Sequence, residues 1–195
     1  IVFSSSATIY GIQEIEDSIK EDGSINPINP YGENKVTIEK ILKNIFDGSK
    51  ENWRIANLRY FNPIGAHSSG LIGEEPRGIP NNIFPYICEV GSGRIDKLQI
   101  FGRDWPTRDG TCIRDYIHVM DLAEAHKSAL DYLNKKDSEF INLNIGTGIG
   151  TSVLELVKTF IKVNECNLNY EFAERREGDS YHLVANNELA LQTLN

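Results

Sequence analysis

Short apolar runs alternate with segments of helical periodicity along this chain, and that alternation limits the folds open to it. Ile1-Val2-Phe3 predicts a buried strand that opens into a loop at Ser4-Ser5-Ser6. Pro30 then precedes a helical pattern that Gly48 closes. Further strands are predicted at residues 53–61, 98–101 and 140–145, and further helices at 81–90, 121–133 (with Asp121 as N-cap) and 188–195. Another helix, capped by Thr151 or Ser152, is predicted to run through Ile161. Such alternation is typical of an α/β fold with a largely parallel sheet.

The charge, hydropathy and cysteine content of the chain disfavour several kinds of binding partner. The net charge of −8 repels nucleic acid phosphates, so a DNA or RNA partner is not expected. No run approaches the roughly 18 apolar residues of a membrane span, so no membrane contact is expected. Cys88, Cys112 and Cys166 are far apart and form no CxxC, which disfavours a metal site or disulfide framework and favours a reducing compartment, the cytoplasm.

The loops of the predicted sheet are the place to look for a site. Ligands of parallel sheets bind beyond the carboxyl ends of the strands, which here means the loops after Phe3, Phe61 and Ile145. Residues 65–78 are glycine-rich and irregular, and residues 103–114 form a long polar loop of a kind that often carries function.

Tyr31-x-x-x-Lys35 is the first pattern that could carry chemistry. Residues four apart on a helix share one face, so the phenol and the ammonium lie side by side, and the ammonium favours the phenolate that a general base requires. Ser6, at the end of the preceding strand, could join them in moving a proton off a substrate alcohol. The alternative, that Ser6 is a turn residue and Tyr31 a packed aromatic, stays open on these residues alone. A second match, Tyr132-x-x-x-Lys136, is interpreted as a solvated helix end.

Two further patterns are interpreted as structural. Gly146-x-Gly148-x-Gly150 follows a strand, but its spacing is not GxGxxG, so a tight strand-to-helix turn is favoured over a phosphate site. The histidines show no ligand spacing and are interpreted as polar packing or surface residues (His67, His118, His126 and His182). No metal ion is therefore predicted.

Several longer segments carry a resemblance to a known family. They are SSSATIYG (residues 4–11), PYGENK (30–35), RYFNPIGAH (59–67), GIPNN (78–82), RDYIHVMD (114–121) and RREGD (175–179). In this order and spacing the chain resembles the UDP-glucose 4-epimerase (UDP-galactose 4-epimerase) family, which belongs to the extended short-chain dehydrogenase/reductase group.

The resemblance implies a role for each matching residue. Tyr31 would take the proton of the sugar 4-hydroxyl, Lys35 would hold the nicotinamide ribose, and Ser6 would hydrogen-bond the reacting oxygen. All three would contact the NAD cofactor, with Phe61 beside it. The sugar nucleotide would be bound by Asn62 and Asn82, by Gln99, Ile100 and Phe101 along the uracil, by Arg114 and Arg176 at the diphosphate, and by Asp179 at the uridine ribose. Arginine suits a diphosphate because its fork makes bidentate charge-assisted hydrogen bonds.

The same resemblance implies a reaction and an architecture. The reaction is the NAD-dependent interconversion of UDP-glucose and UDP-galactose, by oxidation of the 4-hydroxyl, rotation of the 4-keto sugar and return of the hydride. Residues 1–64 and 118–148 would form the C-terminal part of a Rossmann-type doubly wound NAD-binding domain. Residues 65–117 and 149–195 would form a smaller α/β lobe for the UDP-sugar. A homodimer is implied for the full-length protein.

A missing cofactor loop limits what this chain is expected to do alone, and two other kinds of protein share the fold. The family's glycine-rich cofactor loop is not in the sequence, so the chain is expected to be a piece that binds NAD poorly alone. Sugar-nucleotide dehydratases and decarboxylases of this fold carry acidic residues where this chain has Ala7 and Thr8. A non-catalytic NAD-binding protein of the same fold would lack the Tyr/Lys pair. Leu183 stands where the family limits the sugar C2 substituent, which leaves the acceptance of N-acetylated sugars open.

Overall fold

A computed structural model gives the fold and describes residues 1–13, 18–78 and 80–194. The strands are β1 (Val2–Ser6), β2 (Arg54–Tyr60), β3 (Asn62–Ile64), β4 (Leu98–Phe101), β5 (Ile113–His118), β6 (Glu139–Ile145), β7 (Gly150–Ser152), β8 (Tyr170–Ala173) and β9 (His182–Leu183). The helices are α1 (Pro30–Gly48), α2 (Ile83–Gly91), α3 (Val119–Asn134), α4 (Val153–Asn164) and α5 (Glu188–Leu194). Ile79 of the predicted 78–82 motif and Asn195 of the last predicted helix lie outside the described residues.

The main sheet has the strand order β1-β2-β6, and all its strands are parallel. Its register pairs Ser6 with Tyr60, and Tyr60 with Ile145. The carboxyl ends of the three strands therefore meet at one edge, as predicted for a parallel sheet, and the loops that follow them are neighbours.

Helices cover both faces of this sheet. Side chains alternate along a strand, and Ala56 and Leu58 of β2 face a buried cluster that includes Leu133 of α3. Arg59 of β2 points the other way and contacts Glu39 of α1. A sheet buried on both faces between helices is the doubly wound arrangement, so the predicted α/β class is confirmed.

A second structural layer lies beside the main sheet. Strand β5 is its centre and pairs with β3, β7 and β9, while β4 pairs with β8 in a separate two-stranded sheet. A separate buried cluster, called the Ile87 cluster, holds this part together and is built from side chains of α2, β4 and α4 such as Ile87, Leu98 and Val157.

The structure corrects three local predictions. The serines at residues 4–6 continue β1 instead of opening a loop, because the hydroxyls of Ser4 and Ser5 find hydrogen-bond partners on the helices that cover the sheet. Helix α3 begins after His118, whose Nδ1 accepts from Met120 N at 3.1 Å, so Asp121 is not its N-cap but an acidic residue of its first turn.

The third correction concerns residues 113–118, the start of which was assigned to a loop. This segment is β5, and its burial alternates along the strand. The alternation is not visible in the sequence as an apolar pattern, because the buried position between Ile113 and Ile117 is the charged Asp115.

Candidate active site

Ser6 is the last residue of β1 and begins a single 3-10 turn, Ala7–Tyr10. Its Oγ accepts hydrogen bonds from Thr8 N at 3.3 Å and from Thr8 Oγ1 at 3.1 Å. Only 7% of Ser6 is exposed, and that part faces a cavity. The turn thus holds the hydroxyl at the strand end with a defined direction, which a turn residue without such contacts would not have.

Tyr31 and Lys35 are brought side by side by the first two turns of α1. Asn29 caps this helix by accepting from Gly32 N at 2.9 Å, and Pro30 occupies the first position, where its lack of an N–H costs nothing. Lys35 Nζ lies 5.3 Å from the centroid of the Tyr31 ring and donates to the backbone oxygen of Ser4 at 2.7 Å. The ammonium is therefore tied to β1 two residues before Ser6, and the Tyr31 side chain remains 51% exposed.

Tyr60 and Ser4 lie beneath this pair. Burial, and then the nearby Tyr31, raise the pKa of the Tyr60 phenol, while a hydrogen bond with Ser4 opposes the shift. Ser4 Oγ also lies 2.9 Å from His126 Nε2, and His126 Nδ1 lies 2.8 Å from the carbonyl oxygen of Leu122. Because that carbonyl can only accept, Nδ1 carries the ring proton and Nε2 accepts from Ser4.

A cavity of about 210 Å³ opens beside Ser6 and is called the Ser6 cavity here. The predicted site residues that line it are Ser6, Phe61, Asn62, Arg114, Asp179 and Leu183. Tyr31 and Lys35 are not among its lining residues, although Asn29, the N-cap of their helix, is one.

A second cavity of about 420 Å³, the Arg176 cavity, lies against the second layer. The predicted residues that line it are Asn62, Asn82, Gln99, Ile100, Phe101, Arg114, Arg176 and Asp179. Asn62, Arg114 and Asp179 belong to both cavities, so the two adjoin along these side chains.

The guanidinium of Arg114, which both cavities share, can still bind a ligand. Arg114 Nη1 donates to the carbonyl oxygen of Ile113 at 2.9 Å, and Nη2 lies 3.7 Å from Asp179 Oδ1. The latter distance is longer than a hydrogen bond. The ion pair is thus open enough for a ligand to take up both groups.

Two adjacent arginines have different surroundings. Arg175 makes an ion pair with Asp104 at 2.8 Å and lies over the Trp105 ring at 4.1 Å. Arg176 lies over the Phe101 ring at 4.4 Å, at the wall of the Arg176 cavity. Arg175 is therefore engaged in a surface ion pair, whereas Arg176, the arginine that the resemblance assigns to the diphosphate, lies at a cavity wall.

Sequence reasoning missed Tyr116, which also lines the Arg176 cavity. Its buried hydroxyl has no hydrogen-bond partner among the described residues, and burial raises its pKa to about 12. The spacing from Arg114 was the available signal, because residues two apart on a strand share a face. Cys112 lines the same cavity on the same alternation, and burial raises the pKa of its thiol.

The turn at Gly146-x-Gly148-x-Gly150 binds a side chain of the same chain, the Asp115 carboxylate. Asp115 Oδ1 accepts from Thr147 N at 2.8 Å, and its Oδ2 accepts from Gly148 N at 2.9 Å and from Ala185 N at 3.2 Å. These backbone N–H groups are the ones that a bound phosphate would need. An internal carboxylate takes their place, so the interpretation as a structural turn is supported.

The second Tyr/Lys match lies at the opposite edge of the main sheet. Tyr132 OH donates to Glu139 Oε2 at 2.7 Å, and Glu139 is the first residue of β6, whereas Ser6 is the last residue of β1.

Among the residues described, no three His, Cys, Asp or Glu side chains come together as a metal site. In that same part of the chain, no helix is long and apolar enough to cross a membrane.

Comparison with protein families and curated proteins gives consistent matches. Residues 1–146 match the NAD dependent epimerase/dehydratase family. The chain is 53% identical over 180 residues to the UDP-glucose 4-epimerase of Bacillus subtilis, covering 92% of this chain and 52% of that protein. It is 47% identical over 190 residues to the UDP-glucose 4-epimerase of Drosophila melanogaster, covering 97% and 54%. The chain spans about half the length of the curated relatives it matches.

Solved structures match the whole length of the chain. A UDP-glucose-4-epimerase from Stenotrophomonas maltophila, with bound NAD and formylated UDP-arabinopyranose, superposes with a TM-score of 0.95 at 45% identity, covering 99% of this chain and 56% of that one. The UDP-glucose 4-epimerase from Bifidobacterium longum, in complex with NAD+ and UDP, gives a TM-score of 0.92 at 42% identity, covering 100% and 57%.

Proposed function

Because this chain belongs to the NAD dependent epimerase/dehydratase family, we propose that the protein containing it interconverts UDP-glucose and UDP-galactose with bound NAD. The observation that carries this proposal is the junction of the two cavities. The Ser6 hydroxyl and Asn29, the N-cap of the helix that carries the Tyr/Lys pair, line one cavity, Arg114 lies at the junction, and Arg176 lies beside Phe101 in the other cavity. A sugar nucleotide has the same polarity, with a reactive sugar at one end and an anionic diphosphate and a base towards the other.

The Arg176 cavity accounts for the nucleotide end. Arg114 and Arg176 bind the diphosphate, and Asp179, at the junction, accepts from the ribose hydroxyls. The uracil lies along β4, where Gln99, Ile100 and Phe101 follow one another, and the amides of Asn62 and Asn82 hold the remaining polar groups. Strong anchoring of the diphosphate leaves the sugar free to turn within the Ser6 cavity, which inversion at C4 requires.

The proton step belongs to Ser6, Tyr31 and Lys35. Tyr31 accepts the proton of the sugar 4-hydroxyl and later returns it to the same oxygen. The Lys35 ammonium places positive charge beside the group that exchanges the proton. Ser6 donates a hydrogen bond to the reacting oxygen, because its own Oγ is used within the chain as an acceptor from Thr8.

The donor set at this end fits the nicotinamide half of NAD. An ammonium has three donors, and Lys35 donates to Ser4 among the described residues, so donors remain for ribose hydroxyls. Phe61 gives the Ser6 cavity a flat apolar wall. Ser6, Tyr31, Lys35 and Phe61 would hold this half of the cofactor, and bound NAD supplies the acceptor and donor for the C4 hydride.

The proposed architecture divides the chain into two units. Residues 1–64 and 118–148 contribute to the NAD-binding unit, and residues 65–117 and 149–195 form the lobe for the UDP-sugar. The Ile87 cluster supports this division, since all its members belong to the group of residues 65–117 and 149–195. Ala185 and Ala190 of that group also pack on the first unit, which makes the connection between the units extensive.

Two further properties complete the proposal. Helix α1 exposes Ile38, Ile41 and Ile45 as one stripe, which supports a homodimer of the full-length protein. Cys88, Cys112 and Cys166 are all free thiols, which supports a reducing compartment such as the cytoplasm.

Substitution of Tyr31 tests the reaction. In the full-length enzyme, Tyr31→Phe removes the proton acceptor while keeping the ring, so kcat is expected to fall by about 10²- to 10⁴-fold. Conversion of UDP-galactose to UDP-glucose is measured at saturating substrate. Tyr170→Phe, at a partly exposed tyrosine on β8, is the matched control and keeps the wild-type rate.

The outcomes separate the alternatives. Full activity of the Tyr31→Phe variant would contradict the assigned proton acceptor. A wild-type protein that binds NAD but converts no sugar nucleotide would favour the non-catalytic alternative. The dehydratase alternative is disfavoured by Ala7, which is buried and apolar where that chemistry needs an acid.

A further inference from the structure

Helix α1 carries a third functional group on the face that bears Tyr31 and Lys35. Glu39 follows Lys35 at the same spacing of four residues, so the three side chains form one line along the helix. Tyr31 is exposed, Lys35 is half-buried, and Glu39 is buried. A carboxylate in that position is retained only if its charge and its lone pairs are satisfied.

Both oxygens of the Glu39 carboxylate have hydrogen-bond partners, and its charge is paired with that of Arg59. Arg59 of β2 approaches it as a fork, with Nη2 2.7 Å from Oε2 and Nε 3.0 Å from Oε1. Ser5 Oγ of β1 donates to Oε1 at 2.5 Å. The pair therefore joins the helix to two adjacent strands of the main sheet.

Arg59 is itself held in one orientation. Its Nη1 donates to Tyr10 OH at 3.1 Å and to the backbone oxygen of Glu21 at 2.8 Å. Tyr10 OH in turn donates to Asn144 Oδ1 at 2.7 Å, and burial raises the pKa of Tyr10 to about 12, so this phenol stays a donor. The network ends on β6, and every strand of the main sheet contributes to it.

We propose that the buried Glu39–Arg59 pair is a positioning device that fixes α1 along β1, so that Tyr31 and Lys35 are held in register with Ser6. The inference rests on the proposed function. Lys35 contacts Ser4 and Glu39 contacts Ser5, so one face of α1 is fixed to consecutive residues of the strand that ends at Ser6. Two contacts in series define the position of the helix along the strand, which one contact would not.

Geometry rather than stability is the reason for the pair. A buried ion pair is often no more stabilising than well-packed apolar residues of similar size. Apolar packing, however, tolerates small sliding of a helix, whereas a forked ion pair has one optimal arrangement. A displacement of about 1 Å at a catalytic group can cost about 10²-fold in rate.

The test uses the full-length enzyme with UDP-galactose as substrate. In Glu39→Gln we expect kcat to fall by about tenfold while KM stays within about twofold, because Glu39 lies outside both cavities and acts on position rather than binding. The double variant Glu39→Met/Arg59→Met restores an apolar fit, and we expect it to keep a near wild-type melting temperature with the same loss of kcat.

A matched control separates destabilisation from misplacement. Leu133→Ala opens a cavity between α3 and the main sheet, away from the pair, and is expected to lower the melting temperature without lowering kcat at 25 °C. The charge-preserving Glu39→Asp is expected to recover part of the kcat lost in Glu39→Gln.

Each outcome decides the inference. A wild-type kcat in Glu39→Gln, or in the double variant, would overturn it and leave the pair a purely structural contact. If Glu39→Gln does not fold, the double variant gives the decision alone. Failure of the proposed function looks different, since the wild-type enzyme itself would then not convert UDP-galactose.

Discussion

At the scale of single residues, the two neighbouring arginines show how surroundings assign a role. Arg175 is engaged by Asp104 and Trp105 at the surface, and Arg176 lies on Phe101 beside a cavity. Charge and spacing do not distinguish the two cations, and the choice of Arg176 came from the family resemblance, because a sequence does not record the partner that each side chain contacts.

This difference gives a prediction for nucleotide binding. Arg176→Ala is expected to weaken UDP binding by about 10- to 100-fold, because a hydrogen bond to a charged group contributes about 1.5–3 kcal/mol. Titration calorimetry with UDP measures the effect. Arg175→Ala is the matched control and should leave the affinity within about twofold, since a surface ion pair contributes little. Equal losses in the two variants would contradict the assignment.

Most candidate residues were proposed from the sequence, and most of them line the Ser6 cavity or the Arg176 cavity, whereas Tyr31 and Lys35 line neither. Tyr116 was not identified. Its side chain belongs to the Arg176 cavity only because β5 turns it to the same side as Arg114, and β5 itself was not recognised. The pairing of Lys35 with Ser4, which links the catalytic helix to its strand, likewise depends on tertiary contact.

At the scale of elements, prediction succeeded where local signals agreed. Helix α1 runs from Pro30 to Gly48, close to the predicted bounds, because a proline-compatible start and an amphipathic face favour the same segment, but its C-cap is Ser49 and Gly48 is its last helical residue instead of the predicted cap. Strand β5 was not predicted, because its buried Asp115 interrupts the apolar alternation that indicates a strand. The hydrogen bonds that make its burial possible come from residues 147, 148 and 185, which no local pattern connects to it.

The close packing around Asp115 predicts the effect of a small substitution. A Cβ at Gly146 would lie 2.5 Å from Asp115 Oδ2 and 2.8 Å from Ala185 Cβ, both fully or almost fully buried. Gly146→Ala is therefore expected to lower the free energy of unfolding by about 1–3 kcal/mol, as overpacking does. Thermal or urea unfolding of the full-length protein measures it.

Gly48→Ala is the control for that experiment. Nothing lies within 4 Å of a Cβ at Gly48, which ends α1. Alanine has the higher helix propensity by about 1 kcal/mol, so stability should stay equal or rise slightly. An unchanged stability of Gly146→Ala would show that the turn can open to admit a methyl group.

At the scale of the whole molecule, the exposed stripe on α1 predicts an oligomeric state. Ile41 is 51% exposed at its centre, between Ile38 and Ile45. If this stripe is the dimer interface, Ile41→Lys should convert a dimer of the full-length protein into a monomer, because burying an unpaired ammonium is costly. Light scattering after gel filtration measures the mass.

The control for the dimer experiment lies on another helix. Val163 of α4 is 73% exposed, and Val163→Lys should leave the mass unchanged. A dimeric Ile41→Lys variant, or a monomeric wild-type protein, would contradict the proposed interface.

The fold class, the family and most candidate residues of the site follow from the amino-acid sequence. Alternating strand and helix patterns predicted the parallel α/β arrangement, and the motifs from residue 4 to residue 179 indicated a resemblance to UDP-glucose 4-epimerases that the relatives confirm. These features are local in the chain, or are kept in its order, so they can be identified without coordinates.

The positions of these groups relative to one another depend on the tertiary fold. It joins Ser4 and Ser5 of β1 to α1 through Lys35 and Glu39, brings the two cavities together at Arg114, and places the Asp115 carboxylate in the turn at residues 146–150. The physical reason is burial. A charged side chain can enter the interior only where distant segments supply its hydrogen bonds, and those partners are brought together by the fold rather than by proximity in sequence.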